Sequence, residues 1–282
     1  MFGELWSTLA GQLPLSIQKY RNQLPSLHVT EKPDRTLLTK ADLEVEALIV
    51  KAIRAADPGA QIIAEESGNL SEVAQTPEQV WVIDPIDGTA EFVRPDRREF
   101  CSVICLLERG EPVTTLVVAP ELGHDRTPLI VFADRAAHVL TVNGQPCQSG
   151  RNPNRPRWAS VTRSSGSAPH PFEPLMAGAG FDLKTSTTSQ TIDMLRTSVD
   201  LTDMTDLPMP QFDLFYRKDQ KIWDGVAGLC LGAATGLTSV DNTGSSRTPV
   251  EREILSHKTP SFDSTIMGLP EAVEWFLEIS KS

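Results

Sequence analysis

The sequence has no long hydrophobic run and few cysteines, and each shortage argues against a class of protein. No apolar stretch approaches the roughly 18 residues that a membrane-spanning helix needs. The four cysteines include no Cys-x-x-Cys pair, and we expect reduced, mostly buried thiols in a cytoplasmic protein. The five histidines are scattered and form no His-Glu-x-x-His pair, which argues against a zinc enzyme.

Positive charge is also scarce. The chain has 26 lysines and arginines against 37 aspartates and glutamates, a formal charge of −11. Binding to a nucleic-acid polymer requires a basic surface, so that partner is excluded. The same excess of acid fits either an acidic surface or a cluster of carboxylates that hold cations, and composition alone leaves both open.

The pattern of apolar residues predicts an α+β protein. Residues 1–20 lack a basic, strongly apolar leader and instead repeat Leu5, Leu9, Leu13 and Ile17 like an amphipathic helix. A second helix is predicted from Thr39 to about Asp57. The predicted strands are 61–64, 80–83, 101–107, 113–119, 129–133, 137–142, 158–163 and 212–217, and further helices are predicted near 171–178, from about 224, and over 270–279. Residues 184–206 are a polar stretch rich in Thr, Ser and Asp, to which no helix or strand is assigned.

A polar, proline-containing segment at 145–157 suggests a boundary between two closely packed lobes. We therefore predict an N-terminal α+β lobe over 1–150 and a C-terminal α/β lobe over 151–282. The first would carry most of the candidate metal ligands, and the second would carry Asp224 and the substrate pocket.

The sequence Trp-Val-Ile-Asp-Pro-Ile-Asp-Gly-Thr at 81–89 is the most informative stretch. It is consistent with a buried strand that leaves the core through an ordinary turn. It also fits a phosphate site, because Gly88 permits close approach and amides at a helix start attract anions. Asp84 and Asp87 would repel such an anion by roughly 1–4 kcal/mol per charge pair near 4 Å. Divalent cations between them would remove that conflict, and Mg²⁺ fits best because it shares oxygen ligands with substrate phosphates.

Three other acidic positions have a structural and a functional interpretation each. Asp42 follows Thr-Lys-Ala and would simply cap its own helix. Glu65 and Glu66, in Ala-Glu-Glu-Ser, would be solvated loop charges. Asp224, in Lys-Ile-Trp-Asp, would be the first residue of a late helix. For each residue alone, the structural interpretation is as good as the functional one. Only the occurrence of all of them in one chain favours a shared functional site.

The four segments Lys-Pro-Asp-Arg-Thr-Leu-Leu-Thr-Lys-Ala-Asp, Ala-Glu-Glu-Ser, Asp-Pro-Ile-Asp-Gly-Thr and Trp-Asp occur in this order between residues 32 and 224. Their order and spacing resemble the inositol monophosphatase superfamily of magnesium-dependent, lithium-sensitive phosphatases. The resemblance implies a layered αβαβα sugar-phosphatase fold. It also implies hydrolysis of a small phosphate monoester by metal-activated water, in a protein that is a monomer or a homodimer and binds no membrane.

The resemblance also assigns roles to residues. Two or three Mg²⁺ ions are implied per site, with Li⁺ inhibitory. The implied metal ligands are Glu65, Asp84, the Ile86 carbonyl, Asp87 and Asp224. Asp42 and Thr89 would orient the attacking water, with Glu65 beside a metal ion, and the substrate contacts would be Asp87, Gly88, Thr89, Arg217, Lys221 and Asp224.

Within the superfamily, the 3′(2′),5′-bisphosphate nucleotidase branch is the most similar. The 32–42 segment and Asp-Gly-Thr-Ala-Glu-Phe resemble that branch, whereas inositol phosphatases usually have Asn-Phe after Asp-Gly-Thr. Arg217 stands where inositol phosphatases tend to have an acid, so that Arg217 and Lys221 would hold a second phosphate. They would otherwise be ordinary surface charges, and Lys32 and Asp34 are equally ambiguous.

The chain departs from the family pattern in ways that affect the substrate. Ala-Glu-Glu-Ser replaces Gly-Glu-Glu-Ser, and Gly-Ala-Ala-Thr-Gly stands where Ala-Gly-Gly is usual. Residues 184–210 lack the Gly-Ser-x-Ala helix start that lines the leaving-group pocket. These departures leave the metal ligands in place and keep several substrates open. The similarity to the nucleotidase branch favours a nucleoside 3′(2′),5′-bisphosphate, and the alternative is an inositol phosphate or another small metabolite such as a sugar phosphate or histidinol phosphate.

Two rival functions remain. A haloacid-dehalogenase-type phosphatase needs its two aspartates two residues apart on one side of a strand end, but here they are three apart. A catalytically inactive, metal-binding relative would fit the altered 184–210 segment. That relative is disfavoured because Asp42, Glu65, Thr89 and Asp224 are all present.

Overall fold

The computed structural model describes residues 2–32, 36–69, 78–147, 155–164 and 166–281. The predicted α+β class is confirmed. The α-helices in these ranges are α1 Gly3–Arg21, α2 Lys40–Ala56, α3 Thr89–Phe92, α4 Glu173–Gly178, α5 Gln190–Ser198, α6 Ile222–Ala234, α7 Arg252–Ser256 and α8 Pro270–Ile279. The strands are β1 Val29–Glu31, β2 Leu37–Thr39, β3 Gln61–Ala64, β4 Gly68–Asn69, β5 Gln79–Asp87, β6 Cys101–Glu108, β7 Glu111–Ala119, β8 Leu129–Asp134, β9 Val139–Val142, β10 Gln145–Pro146, β11 Arg157–Arg163, β12 Phe181–Ser186, β13 Leu214–Lys221, β14 Thr238–Val240 and β15 Ser261–Gly268.

The elements stack in five layers, in the order helix, sheet, helix, sheet, helix. Helices α1 and α2 cover one face of an eight-stranded sheet, and α5 and α6 cover the other. The far side of α5 and α6 packs on a five-stranded sheet, whose outer face is covered by α4 and α8. This is the αβαβα arrangement that the resemblance implies. None of the helices in the described ranges has both the length and the apolar character of a membrane span.

Strand β5 shows why the eight-stranded sheet must be covered on both faces. Its side chains alternate, so Trp81 and Ile83 pack against α1 and α2 while Val80 and Val82 pack towards α6. All four are buried. The strand order is β10-β9-β8-β7-β6-β5-β3-β4, and β5 pairs parallel with β3 and antiparallel with β6. The end of β5 therefore lies in the interior of the sheet, close to the layer formed by α5 and α6.

The five-stranded sheet has the order β12-β11-β13-β15-β14. Strand β13 leads directly into α6, a helix that is buried over most of its surface. Gly228 lets α6 approach α5 closely, because a Cβ there would lie 2.3 Å from the sulfur of Met194. This contact joins α6 to α5 in the helical layer between the two sheets.

Several sequence predictions need correction. Strand β5 does not end at Ile83 but continues through both aspartates to Asp87. Residues 184–206 are not irregular throughout, because β12 extends to Ser186 and α5 occupies Gln190–Ser198. The proposed lobe boundary near 150 and the ambiguous Asp34 lie outside the described residues.

Candidate active site

A bulge at the end of β5 places the two aspartates of the Asp-Pro-Ile-Asp segment together. In a regular strand, residues three apart point to opposite faces. Here Asp84 pairs with Val103 and Asp87 with Cys101, so three steps along β5 match two along β6. The extra residue restores a common face. The spacing that argues against a dehalogenase-type motif is thus the spacing this bulge requires.

Glycine is required immediately after the bulge. Gly88 has φ +93°, in the left-handed region, and a Cβ there would lie 2.9 Å from the carbonyl oxygen of Glu99. The turn at Gly88 starts the short helix α3, whose first residue is Thr89. The Thr89 hydroxyl lies 3.1 Å from the Ile86 carbonyl oxygen and 3.3 Å from Asp42 Oδ1. Thr89 is therefore joined to the N-terminal end of α2.

Asp224 joins Asp84 and Asp87 from the opposite side, in the first turn of α6. One carboxylate oxygen from each of the three lies within 4.8 Å of the others. Asp84 and Asp87 are buried and Asp224 is half-buried. Oδ1 of Asp84 is buried without a hydrogen-bond partner among the described residues.

The pKa values reflect this crowding. Burial raises the pKa of Asp84 well above its usual range, and the charges of Glu65, Asp87 and Asp224 raise it further. Burial likewise raises the pKa of Asp224 well above its usual range, aided by Asp87 and Glu65. The pKa of Asp87 rises only to about 6, because hydrogen bonds from Ser189, Gln190 and Thr191 offset part of the effect of burial. Three carboxylates this close together, two of them buried, are stabilised by a proton or by a cation.

The first turn of α5 surrounds Asp87, a feature that sequence reasoning missed. The Ser189 hydroxyl donates to Asp87 Oδ2 at 2.8 Å, and the Thr191 amide donates to the same oxygen at 2.7 Å. Gln190 donates through Nε2 to Asp224 Oδ2 at 2.6 Å. Ser189 is also the N-cap of α5, accepting from the amide of Ile192. That cap, ahead of the apolar residues of α5, is the sequence signal that would have found the helix.

Asp42 satisfies both interpretations made from the sequence. Its Oδ2 accepts from the Thr39 amide at 2.7 Å and from the Thr39 hydroxyl at 2.6 Å, while Thr39 caps α2. Its Oδ1 faces the hydroxyl of Thr89. Asp42 is fully buried, and burial raises its pKa to about 6. Asp42 thus belongs to the capping box of α2 and is also the partner of Thr89, which lies beside the carboxylate trio.

Glu65 stands apart from the trio formed by Asp84, Asp87 and Asp224. It follows β3, its amide donates to the Ile83 carbonyl, and its side chain is paired with Lys32 at 2.8 Å. Its charge nevertheless contributes to the raised pKa of Asp84. Glu65 therefore lies close enough to influence the trio while being held by a lysine.

The two predicted basic substrate contacts lie at the C-terminal side of the site. Arg217, on β13, is half-buried and donates from Nη1 to the Thr187 hydroxyl at 3.1 Å. Its Nε is buried and has no hydrogen-bond partner in the described ranges, and the charge of Asp224 acts on its pKa. Burial lowers that pKa. Lys221 is the N-cap of α6, three residues before Asp224.

The donor set fits a divalent cation such as Mg²⁺. The trio offers hard carboxylate oxygens, which magnesium and calcium prefer, and none of the histidine or cysteine ligands that favour zinc. The unpartnered Oδ1 of Asp84 adds a buried acceptor that needs a positive partner.

The five layers and the carboxylate trio define the chain as a sugar-phosphatase-type fold with an acidic centre between its two sheets. The model of the inositol monophosphatase family matches residues 8–272, nearly the whole chain. The chain belongs to this family.

Individual relatives extend the comparison. The 3′(2′),5′-bisphosphate nucleotidase CysQ of Salmonella typhimurium is 34% identical over 106 residues, which are 38% of this chain and 42% of that protein. The chain thus matches less than half the length of that nucleotidase. The Nus factor SuhB of Xylella fastidiosa is 27% identical over 218 residues, covering 77% of this chain and 74% of SuhB.

Among solved structures, an IMPase/NADP phosphatase complexed with NADP and Ca²⁺ superposes with a TM-score of 0.75. The match covers 98% of this chain and 93% of that one at 17% identity. At this identity the similarity establishes the fold.

Proposed function

We propose that the protein is a magnesium-dependent phosphomonoesterase that hydrolyses a small phosphorylated metabolite. The observation that carries the proposal is the trio of Asp84, Asp87 and the half-buried Asp224, none of which forms an ion pair with a basic side chain in the described part of the chain. Such a group is costly unless it binds a cation. We assign the trio, with Glu65 and the Ile86 carbonyl, to two or three Mg²⁺ ions.

When bound, Mg²⁺ supplies positive charge that offsets the repulsion between carboxylates and phosphate and makes a water molecule more acidic. The chain's own part is to orient the reacting groups. The turn at Gly88 presents its backbone to the phosphoryl oxygens, and the amides of Gly88 and Thr89 stabilise their charge. The α5 hydrogen bonds to Asp87 keep that carboxylate from rotating away from the centre.

Thr89 and Asp42 provide a path for the proton of the attacking water. The Thr89 hydroxyl would accept that proton while passing its own to Oδ1 of Asp42, 3.3 Å away. The hydrogen bonds from Thr39 hold Asp42 in place for this role. The leaving alkoxide takes a proton from solvent and Asp42 returns its proton to solvent, so that the products are inorganic phosphate and the free alcohol.

For the substrate, we propose a nucleoside 3′(2′),5′-bisphosphate. Arg217 supports this choice because its guanidinium has an unpartnered buried Nε and lies near Asp224, where a second phosphate would find a charged donor. Lys221, at the N-cap of α6, would add a second positive charge. Similarity to the bisphosphate nucleotidase CysQ, although partial, points the same way.

An inositol phosphate or another small monoester is the second candidate. The match to the inositol monophosphatase family favours it. The fold also accommodates a nucleotide, since the IMPase/NADP phosphatase structure holds NADP.

The test is phosphate release, with magnesium and with EDTA, across a panel of substrates. The panel contains adenosine 3′,5′-bisphosphate, inositol 1-phosphate, fructose 1,6-bisphosphate, histidinol phosphate and AMP. Magnesium-dependent release from the bisphosphate alone is the expected result. Release from another member would replace the substrate, and no release from any would favour the inactive, metal-binding alternative. Li⁺ should inhibit at concentrations where Na⁺ has no effect.

Arg217→Met separates the substrate assignment from the metal assignment. We expect KM for adenosine 3′,5′-bisphosphate to rise at least about tenfold, because one charged hydrogen bond to phosphate is lost. The KM for any monophosphate that the enzyme accepts should change little. Lys218→Met is the matched control, since Lys218 is the next residue of β13 and is exposed. Equal effects of the two variants would contradict the role of Arg217.

A further inference from the structure

Lys32 occupies a position between two glutamates at the edge of the candidate site. Its ammonium lies 2.8 Å from Glu65 Oε1 and 2.7 Å from Glu66 Oε1. The side chain is 17% exposed, against 15% for Glu65 and 5% for Glu66, so this is a largely desolvated ionic group. The Lys32 amide donates to the Thr36 carbonyl at 2.7 Å, which fixes the backbone from which the side chain extends.

Glu66 is anchored independently of Lys32. The Glu66 amide donates to Glu46 Oε2 at 2.9 Å, and the Ser67 hydroxyl donates to Glu46 Oε1. Glu46 is buried on α2. If the ammonium left Glu65, Glu66 would remain in place as its partner.

Other acidic groups face this pair from the neighbouring elements. Asp42, at the start of α2, and Asp84, on β5, both interact electrostatically with Glu65. Lys32 is the described lysine that compensates the charge at this edge, whereas the trio itself has none. Glu65 is thus the one predicted metal ligand whose carboxylate already has a cation.

We infer that Lys32 is a built-in counter-ion that a divalent cation must displace from Glu65. This inference rests on the proposed function, because it assumes that Glu65 is a metal ligand. A divalent ion on Glu65 and the ammonium repel each other at this distance, so the two compete for the same carboxylate. Lys32 therefore weakens metal binding at Glu65 and balances the charge of Glu65 when no metal is bound.

The experiment measures metal binding without substrate. Wild-type protein, Lys32→Met and the control Lys40→Met are stripped of metal and titrated with Mg²⁺ in a calorimeter. Lys40 is a suitable control because it forms an exposed ion pair with Glu44 on α2. We expect Lys32→Met to bind the Glu65-dependent ion about tenfold more tightly, and Lys40→Met to match the wild type.

A double-mutant cycle assigns the effect to Glu65. Glu65→Gln and the Lys32→Met/Glu65→Gln double variant should bind Mg²⁺ with equal affinity. A second readout is thermal unfolding, in which Lys32→Met should melt below the wild type in EDTA and gain more from Mg²⁺. Lys32→Gln, which keeps a hydrogen-bond donor but not the charge, serves if Lys32→Met fails to fold.

The outcomes separate the two proposals. If Lys32→Met binds Mg²⁺ no more tightly than the wild type, or if the tightening persists with Glu65→Gln, the counter-ion role is overturned and the metal assignment stands. If the wild type binds no Mg²⁺, both the proposed function and this inference fail.

Discussion

Glu121 and Asp84 are both buried carboxylates, yet their surroundings are opposite. Glu121 accepts from Arg21 Nε at 2.8 Å and Nη2 at 2.9 Å, and from Arg126 at 2.9 Å. Burial alone would raise its pKa, but the hydrogen bonds and charges of the two arginines outweigh burial and leave the pKa below its usual range. Asp84 has no basic partner, and burial with neighbouring acids raises its pKa well above that range.

Glu121 forms ion pairs within the protein, whereas Asp84 forms none with the described residues. Arg21 also donates to the carbonyl oxygens of Phe92, Arg94 and Arg97, so the Glu121 group ties α1 to the segment that follows α3. The negative charge of Glu121 is balanced by Arg21 and Arg126. The carboxylates of Asp84, Asp87 and Asp224 instead crowd together, and no described lysine or arginine forms an ion pair with them.

Asp84→Asn should produce the largest change in function. We expect phosphatase activity to fall at least about a thousandfold, or about 4 kcal/mol in the barrier, because an oxygen ligand and its charge are lost. The free energy of unfolding in EDTA should not fall, since a buried, unpartnered charge is removed. Steady-state kinetics and urea unfolding check both parts. Retained activity would contradict the assignment of Asp84 to the metal.

Glu121→Gln should lower the stability of the fold and leave phosphatase activity nearly unchanged. Removing one member of a buried ion pair leaves Arg21 without its countercharge, and we expect a loss of about 3 kcal/mol in the free energy of unfolding. Per folded molecule, kcat should remain close to that of the wild type. Urea unfolding measures the free energy of unfolding. The kcat is calculated from the concentration of folded protein, which is measured without using activity. A variant as stable as the wild type would show that the paired carboxylate is not structural.

Glu91 is another buried carboxylate, and it belongs neither to the trio nor to the ion pairs of Glu121. It is buried on α3, and burial raises its pKa from 4.5 to about 7. Because the folded value is the higher one, its contribution to stability is complete below pH 4.5 and is lost as the pH rises through 7. Glu91→Gln removes this dependence, so the variant should gain on the wild type by about 2 kcal/mol between pH 5 and pH 8. Urea unfolding at the two pH values measures the gain, and parallel pH profiles for the two proteins would refute the explanation.

Local signals explain what the sequence could predict. Helix α2 follows from Thr39, Asp42 and an apolar stripe, and it forms over Lys40–Ala56 as expected. Asp84 and Asp87 were identified because the Asp-Pro-Ile-Asp-Gly-Thr segment compresses a strand end, a bulge and a glycine turn into six residues. These features depend on residues that are near one another in the chain.

Other parts depend on contacts that no local pattern records. The N-cap Ser189 is a local signal for the start of α5, but the hydrogen bonds that join Ser189 and Gln190 to Asp87 and Asp224 are long-range contacts. The order of the sheets decides that pairing. Arg21 and Glu121 are likewise distant in the sequence, and only the packing of α1 on the eight-stranded sheet brings them together.

The three aspartates of the trio come from two distant parts of the chain, β5 and α6, and this affects biosynthesis. A ribosome synthesises Asp84 and Asp87 long before it reaches Asp224, at the start of a helix that packs between the two sheets. A nascent chain that has completed only the first sheet lacks the third carboxylate and the helix that seals the centre. A cation held by all three aspartates can therefore stabilise the fold only late in translation, after α6 has been made.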